Sequence, residues 1–360
     1  VAEYADVSGG AGSPSQTPDG TDEVLIAAPN FSGGGGIVDM IDLGNTAMTS
    51  AEGNSVLRFS GASGDRLGEA IAVLANVEMT DTLPEVVITS ADAASGAGIV
   101  NVFLSSGFSS LIDTGANLSS PTISIMNPST GLNFGRSLAD AGDVNGDGLP
   151  DLLIGATDKT APPANAGRVL LISGADIAAG ASVPTPLCNL TSPSTGIPVP
   201  RFFGQAVLGL GDLTGDGHTE FAVTQRRNDS TANAGTIFIY TYDTTTSTCN
   251  LRESFTAAGV TTNQAFGNAL ALANCNFNAD AIKDLAIGTR KSLGGGMLDG
   301  GSVSLYIGQG YCGDGVVIGN EQCDDGNNTS NDGCSSTCTS EGSATPTPTP
   351  GPSASPSPSP

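Results

Sequence analysis

Residues 134–156 read Phe134-Gly135-Arg136-Ser137-Leu138-Ala139-Asp140-Ala141-Gly142-Asp143-Val144-Asn145-Gly146-Asp147-Gly148-Leu149-Pro150-Asp151-Leu152-Leu153-Ile154-Gly155-Ala156. Asp143, Asn145, Asp147 and Asp151 place side-chain oxygens at positions 1, 3, 5 and 9 of a tight loop, and Leu149 offers a backbone carbonyl. Oxygen-only donors at this spacing suit a hard cation of flexible coordination, which means Ca²⁺. A helix-flanked calcium hand is excluded, because the last carboxylate falls at 9 and Leu152-Leu153-Ile154 follows at once. Such an apolar run after a turn reads as a strand. The loop therefore joins two strands.

The loop recurs. Phe203-Gly204 leads to a second copy whose donor positions are Asp212, Thr214, Asp216, His218 and Glu220, followed by Phe221-Ala222-Val223. Phe266-Gly267 leads to a third at Asn276, Asn278, Asp280, Ile282 and Asp284. A weaker copy starts at Leu67-Gly68, passes Asn76, Glu78 and Asp81, and reaches Glu85; an earlier one keeps only its end, at Asp22-Glu23. The final carboxylates stand at 23, 85, 151, 220 and 284, spaced by 62, 66, 69 and 64 residues. A glycine opens an alternating strand after each of them, at Gly36, Gly98, Gly167, Gly235 and Gly301.

A unit of about 65 residues with several short strands and no amphipathic helix points to repeated small sheets. In the third unit the strands are expected at 134–142, 151–156, 167–173 and near 187–191. Four antiparallel strands per unit make a propeller blade, whereas the turns of a β-solenoid are much shorter. The fold class expected is thus all-β, a β-propeller of four-stranded antiparallel blades with about five units present.

At these residues the chain resembles the FG-GAP repeats of integrin α-subunit propellers and their bacterial relatives. The resemblance spans roughly residues 1–310. It is specific in the third and fifth units, partial in the fourth, where Val223-Thr224 replaces a Gly-Ala step, and weak in the first two. It implies a calcium-stiffened propeller, usually extracellular and often used for adhesion, with a protein or glycan ligand at one face. The phenylalanine is expected to fill the wedge between blades, and its glycine to let backbones approach closely.

Composition narrows the function classes. Asp and Glu number 36 against 12 Lys and Arg in 360 residues, for a net charge of −24. That surface repels nucleic acid and anionic headgroups. No run of 18 apolar residues occurs, so no membrane span is expected. There is no initiator Met and no signal peptide at Val1. Ala5-Asp6-Val7 resembles Gly142-Asp143-Val144, and the fifth unit has no fourth strand before Gly310. On both grounds the chain is read as a fragment.

Residues 311–340 differ in kind. Cys312, Cys323, Cys334 and Cys338 are separated by 10, 10 and 3 residues in a stretch almost without apolar side chains. Cross-links must hold such a segment, as two disulfides of open connectivity. Zinc is disfavoured, for there is no Cys-x-x-Cys and no nearby His. The pattern resembles short cysteine-rich repeats of secreted myxobacterial and other bacterial surface proteins, which implies an extracytoplasmic location. Asp314, Asp324, Asp325, Asn327 and Asp332 suit either a further Ca²⁺ or plain polar turns. Cys188 and Cys249 occupy matching Cys-Asn-Leu positions of successive units, which should keep them apart, so Cys249 is expected to pair with Cys275 if with either. Residues 341–360 are Thr-Pro and Ser-Pro repeats, a disordered, polyproline-biased linker or stalk.

Catalytic signatures are missing. His218 is the only histidine and lies within a calcium loop, where metal-bound carboxylates cannot also orient an imidazole. Carboxylate pairs can serve glycoside chemistry, yet the acids here have calcium spacing. Two classes remain: a secreted calcium-binding adhesion or ligand-binding module, and the non-catalytic propeller of a larger secreted hydrolase or lyase.

Overall fold

A computed structural model describes residues 2–5, 23–42, 55–79, 81–112, 114–127, 132–158, 167–193, 202–212, 219–225, 235–256, 264–273, 284–291, 300–306, 322–323, 333–335 and 339–341. The five units expected from the repeat become five sheets. The first holds β1 (Ala2–Ala5), β2 (Glu23–Ala28), β3 (Ile37–Asp42) and β4 (Ser55–Ser60). The second holds β5 (Leu67–Leu74), β6 (Glu85–Ser90), β7 (Ile99–Phe103) and β9 (Ile123–Met126), with β8 (Ala116–Leu118) leaving to another sheet. The third comprises β10 (Leu132–Gly142), β11 (Asp151–Asp158), β12 (Arg168–Ile172) and β13 (Cys188–Leu190). The fourth comprises β14 (Phe203–Gly211), β15 (Glu220–Gln225), β16 (Thr236–Asp243) and β17 (Thr248–Phe255). Among the described residues the fifth has three strands, β18 (Gln264–Ala273), β19 (Asp284–Lys291) and β20 (Gly300–Tyr306). Apart from β8, strands within each unit pair antiparallel in chain order, as a meander.

Register repeats with the sequence. The final carboxylate of each unit stands opposite the last residue of its first strand: Glu23 with Ala5, Glu85 with Leu74, Asp151 with Gly142, Glu220 with Gly211 and Asp284 with Ala273. The strand-opening glycines and the Phe-Gly steps of successive units meet in one contact. The glycine that opens a third strand abuts the backbone of the residue before the glycine of the next unit. A Cβ on Gly167 would lie 2.1 Å from the Phe203 carbonyl oxygen, and one on Gly98 2.3 Å from that of Phe134. The Phe-Gly step itself breaks register, between Phe134 and Ser137 and between Phe203 and Val207. Gly135, at φ 76°, sits where a Cβ would meet Thr89 Oγ1 at 2.5 Å, and Thr89 Oγ1 donates to the Gly135 carbonyl at 2.8 Å.

Strand alternation divides the core among the junctions. Val86 and Ile88 face the cluster between the first and second sheets, while Val87 joins the cluster between the second and third. Leu152 and Ile154 share that latter cluster; Leu153, between them, packs with Phe221 and Phe238 of the fourth sheet. With both faces covered, central strands lose their polar face, and every residue of Glu85–Ser90 and of Glu220–Gln225 is buried. The landmark aromatics fill these wedges: Phe134 and Phe203 are buried, and Phe266 packs on Ile237, Ile239 and Ile287. Successive first strands β5, β10, β14 and β18 also pack side by side.

Two features depart from expectation. The first sheet has a fifth strand: β8, from the second unit, pairs parallel to β4 through Leu57–Ala116 and Phe59–Leu118. The insertion carrying it buries Phe108 and Ile112, and Phe108 meets Phe59 edge-on with ring centroids 6.0 Å apart. The second concerns the cysteines. Cys188 and Cys249 are joined by a disulfide with Cα atoms 6.1 Å apart, which excludes Cys249–Cys275. The Cys-Asn-Leu motifs are not in structural register: Cys188 stands opposite Leu171, four residues past Gly167, but Cys249 opposite Tyr242, seven past Gly235. That offset brings Cys249 over the neighbouring sheet, and the bond ties the third sheet to the fourth. In the cysteine-rich segment Cys323 pairs with Cys334; Cys312, Cys338 and the Pro-rich tail lie outside the described residues. No helix among the described residues is long and apolar enough to cross a membrane.

Candidate metal centre

The loop between β10 and β11 is held by its own carboxylates. Asp143 Oδ1 accepts from the Gly146 and Asp147 N–H groups at 2.8 and 3.1 Å, and Oδ2 from Gly148 N–H at 2.8 Å. Asn145 Oδ1 accepts from Asp147 N–H at 2.8 Å, and Asp147 Oδ1 from Leu149 N–H at 2.9 Å. These bonds wind the backbone into one turn about the Asp143 carboxylate. Each carboxylate oxygen that accepts one N–H keeps a lone pair for another partner.

Asp151 is the deepest member. It is fully buried, and its oxygens accept from Gly174 N–H at 2.9 Å and Val144 N–H at 3.1 Å. Burial pushes its carboxyl up to about 7; the two N–H groups pull it down, and the neighbouring Asp147 and Asp143 push it further up. Among the described residues no Lys or Arg forms an ion pair with Asp143, Asp147 or Asp151. A buried, crowded carboxylate without a counter-ion is costly. The Asn145 amide nitrogen reaches Asp147 Oδ2 at 2.9 Å and Asp151 Oδ1 at 3.5 Å, so it stands amid these oxygens.

Sequence reasoning missed the lid of this loop. Ser173, directly after β12, donates to Asp147 Oδ2 at 3.3 Å and receives the Asn145 amide at 3.4 Å. Ser173 also caps the short helix Gly174–Ala178 by accepting from Ala175 N–H at 3.1 Å. Thr219 of the fourth unit donates to the Asp143 carbonyl at 3.1 Å. A serine one place further on in the second unit was the available signal: Ser105 donates to Asp81 Oδ2 at 2.9 Å and to Glu78 Oε2 at 3.3 Å. There Glu85 is fully buried, and burial pushes it up to about 8.

The remaining expected ligands divide. In the fourth unit Asp212 is exposed, Glu220 is fully buried, and Arg252 Nη1 donates to Glu220 Oε1 at 3.1 Å. The protein's own guanidinium thus compensates that carboxylate. Thr214, Asp216, His218, Asn276, Asn278, Asp280 and Ile282 lie outside the described residues, as does the side chain of Asp284.

The donor chemistry at Asp143, Asn145, Asp147, Leu149 and Asp151 suits Ca²⁺: three carboxylates, an amide and a carbonyl, all oxygen, with no Lys or Arg paired to the carboxylates among the described residues. The arrangement is not a closed shell as it stands, since among the described residues no three Asp, Glu, His or Cys side chains converge into a ready metal cage.

The FG-GAP repeat family matches residues 134–172, the span of this loop and the strands around it. A domain of unknown function, DUF4215, matches residues 306–339, the cysteine-rich segment. No curated protein matches the chain. FG-GAP repeats are typical of integrin-like ligand-binding domains, and together with the two disulfides they are consistent with an extracellular protein.

Proposed function

We propose that this chain is a calcium-stiffened β-propeller that works outside the cell as an adhesion or ligand-binding module, followed by a disulfide-held module and a Pro-rich stalk. The observation that carries the calcium reading is Asp151, a fully buried carboxylate within the acid-lined loop of the FG-GAP match. Ca²⁺ there would supply the missing positive charge and lock the 143–151 turn to Ser173 and Gly174. The propeller reading is supported by the packing of β5, β10, β14 and β18 side by side and by apolar wedges between consecutive sheets. First strands gathered in this way are what a central axis requires.

The fourth unit binds more weakly than the third in this reading, because Arg252 competes for Glu220. Affinity at Asp143–Asp151 should fall near the roughly 10⁻⁴–10⁻³ M of extracellular modules. Calorimetric titration of the full chain with Ca²⁺, beside an Asp151→Asn variant, is the test. Heat in the parent that the variant loses supports the reading; a parent that binds no Ca²⁺ up to several times that range refutes it.

A further inference from the structure

A cavity of about 290 Å³ opens where the second, third and fourth units meet. It lies at the far end of the third sheet from the 143–151 loop: Asn133, the second residue of β10, pairs with Thr157 near the end of β11. The nine strand steps from Asn133 to Gly142 separate the two sites by at most ~30 Å.

Two of the chain's few cations converge here. Arg66 Nη2 and Arg136 Nη1 both bond Glu69, the former at 2.8 Å to Oε2 and the latter at 2.5 Å to Oε1. Arg66 also reaches Asp92 Oδ2 at 3.5 Å. Glu69 therefore fixes the two guanidiniums relative to each other, and both side chains remain about one-third exposed. Among the described residues Arg66 Nε, a buried atom, has no hydrogen-bond partner, so the clamp on this guanidinium is incomplete there. Arg66 and Phe202, in equivalent places before Leu67-Gly68 and Phe203-Gly204, are left-handed at φ 54° and 56°. Strained non-glycine backbone of this kind gathers at ligand sites, and here both strained residues line the same cavity.

The lining dictates the ligand's chemistry. Guanidinium forks recognise a carboxylate. Glu69 and Asp92 ask for hydroxyl donors, Asn133 and Gln205 take either role, and Phe202 offers an aromatic surface. A purely acidic peptide would meet repulsion from Glu69 and Asp92, whereas a sugar acid brings one carboxylate and several hydroxyls together. A cavity of this volume lies at the small end of ligand pockets, fitting one monosaccharide unit. We infer that this cavity binds a carboxylated sugar, a uronate residue of a glycan, with its carboxylate on Arg66 and Arg136. The inference deepens the ligand-binding reading above and rests on it.

Calorimetry of the full chain in Ca²⁺ with D-glucuronate and D-galacturonate, against D-glucose and D-galactose, tests it. At least one uronate should bind at least tenfold more tightly than its neutral counterpart. Arg136→Gln, at a part-exposed site, should lose that preference without shifting the melting curve. Gln205→Glu, which adds a repelling charge, is the second variant and should weaken the uronate and spare neutral sugars. No uronate binding by the folded protein, equal binding of neutral sugars, retention of affinity in both variants, or binding of an oligoglutamate peptide in preference to uronates would each overturn it. A Ca²⁺ titration of the same sample separates the claims: Ca²⁺ binding without uronate binding removes only the sugar site, and uronate binding without Ca²⁺ binding removes only the metal site.

Discussion

Replacing Gly167 with alanine would place a methyl carbon 2.1 Å from the Phe203 carbonyl oxygen and 2.8 Å from its nitrogen. Gly180 provides the matched control. Its φ of 75° is nearly that of Gly167, at 73°, yet nothing lies within 4 Å of where its Cβ would be. Both substitutions incur the left-handed backbone penalty, about 1–2 kcal/mol. Only Gly167 adds a collision, and the atom it meets is main chain anchored by a fully buried phenylalanine. Retreat would open the core between the third and fourth sheets, so the overpacking cost applies, about 1–3 kcal/mol more. Gly167→Ala should thus lose about 2–5 kcal/mol and Gly180→Ala about 1–2 kcal/mol. Urea unfolding at saturating Ca²⁺, read as midpoint shifts at constant slope, measures both. Equal losses in the two variants would refute the claim that the strand-opening glycine exists for the contact between units.

Other expectations follow from particular groups. Chelation with EGTA should lower the melting temperature, because each site of near-millimolar affinity adds on the order of 1 kcal/mol at millimolar Ca²⁺; in Asp151→Asn that response should shrink. Cys188→Ser should cost about 2–4 kcal/mol, since the bond closes a loop of 61 residues in the unfolded chain; calorimetric unfolding checks it, and a loss below about 0.5 kcal/mol would mean that the sheets are already held by packing. Glu85 is raised in the folded state to about 8 by burial, so the folded protein binds its proton more tightly than the unfolded one. Its stabilising contribution is complete below about pH 4.5 and is lost as pH rises through about 8; metal-free protein should melt lower at pH 8 than at pH 5, and Glu85→Gln should flatten that slope. Replacing Cys323 and Cys334 together with serine, which spares Cys188–Cys249, should loosen the segment around them while leaving Ca²⁺ binding at Asp143–Asp151 nearly intact, which hydrogen exchange with a parallel Ca²⁺ titration would show.

What the sequence disclosed was local and periodic. Phe-Gly steps, final carboxylates and strand-opening glycines recur at one spacing, and each answers to a backbone constraint that nearby residues must satisfy. The strands of the third unit fall within a few residues of their expected limits, and all five carboxylates share one register. What stayed hidden depended on contacts between units. β8 is three residues with no pattern of its own, and it becomes a strand only because Phe108 and Ile112 dock on the first sheet. The Cys188–Cys249 bond was misread because matching tripeptides suggested matching places, while the longer β16–β17 hairpin shifts Cys249 by three positions. Ser173 reaches the 143–151 loop from 22 residues beyond Asp151, and Arg252 reaches Glu220 from the outer strand of its own sheet. The cavity draws on three units at once, and no spacing within one of them announces it.

The central claim is that the 143–151 loop holds Ca²⁺. A crystal grown in millimolar CaCl₂ and measured at a long wavelength, where calcium scatters anomalously, addresses it directly. An anomalous peak is expected at about 2.3–2.6 Å from oxygens of Asp143, Asn145, Asp147, Leu149 and Asp151, with the Asn145 amide nitrogen displaced from among the carboxylates. An ordered loop with no peak, and with that nitrogen still between Asp147 and Asp151, would contradict it.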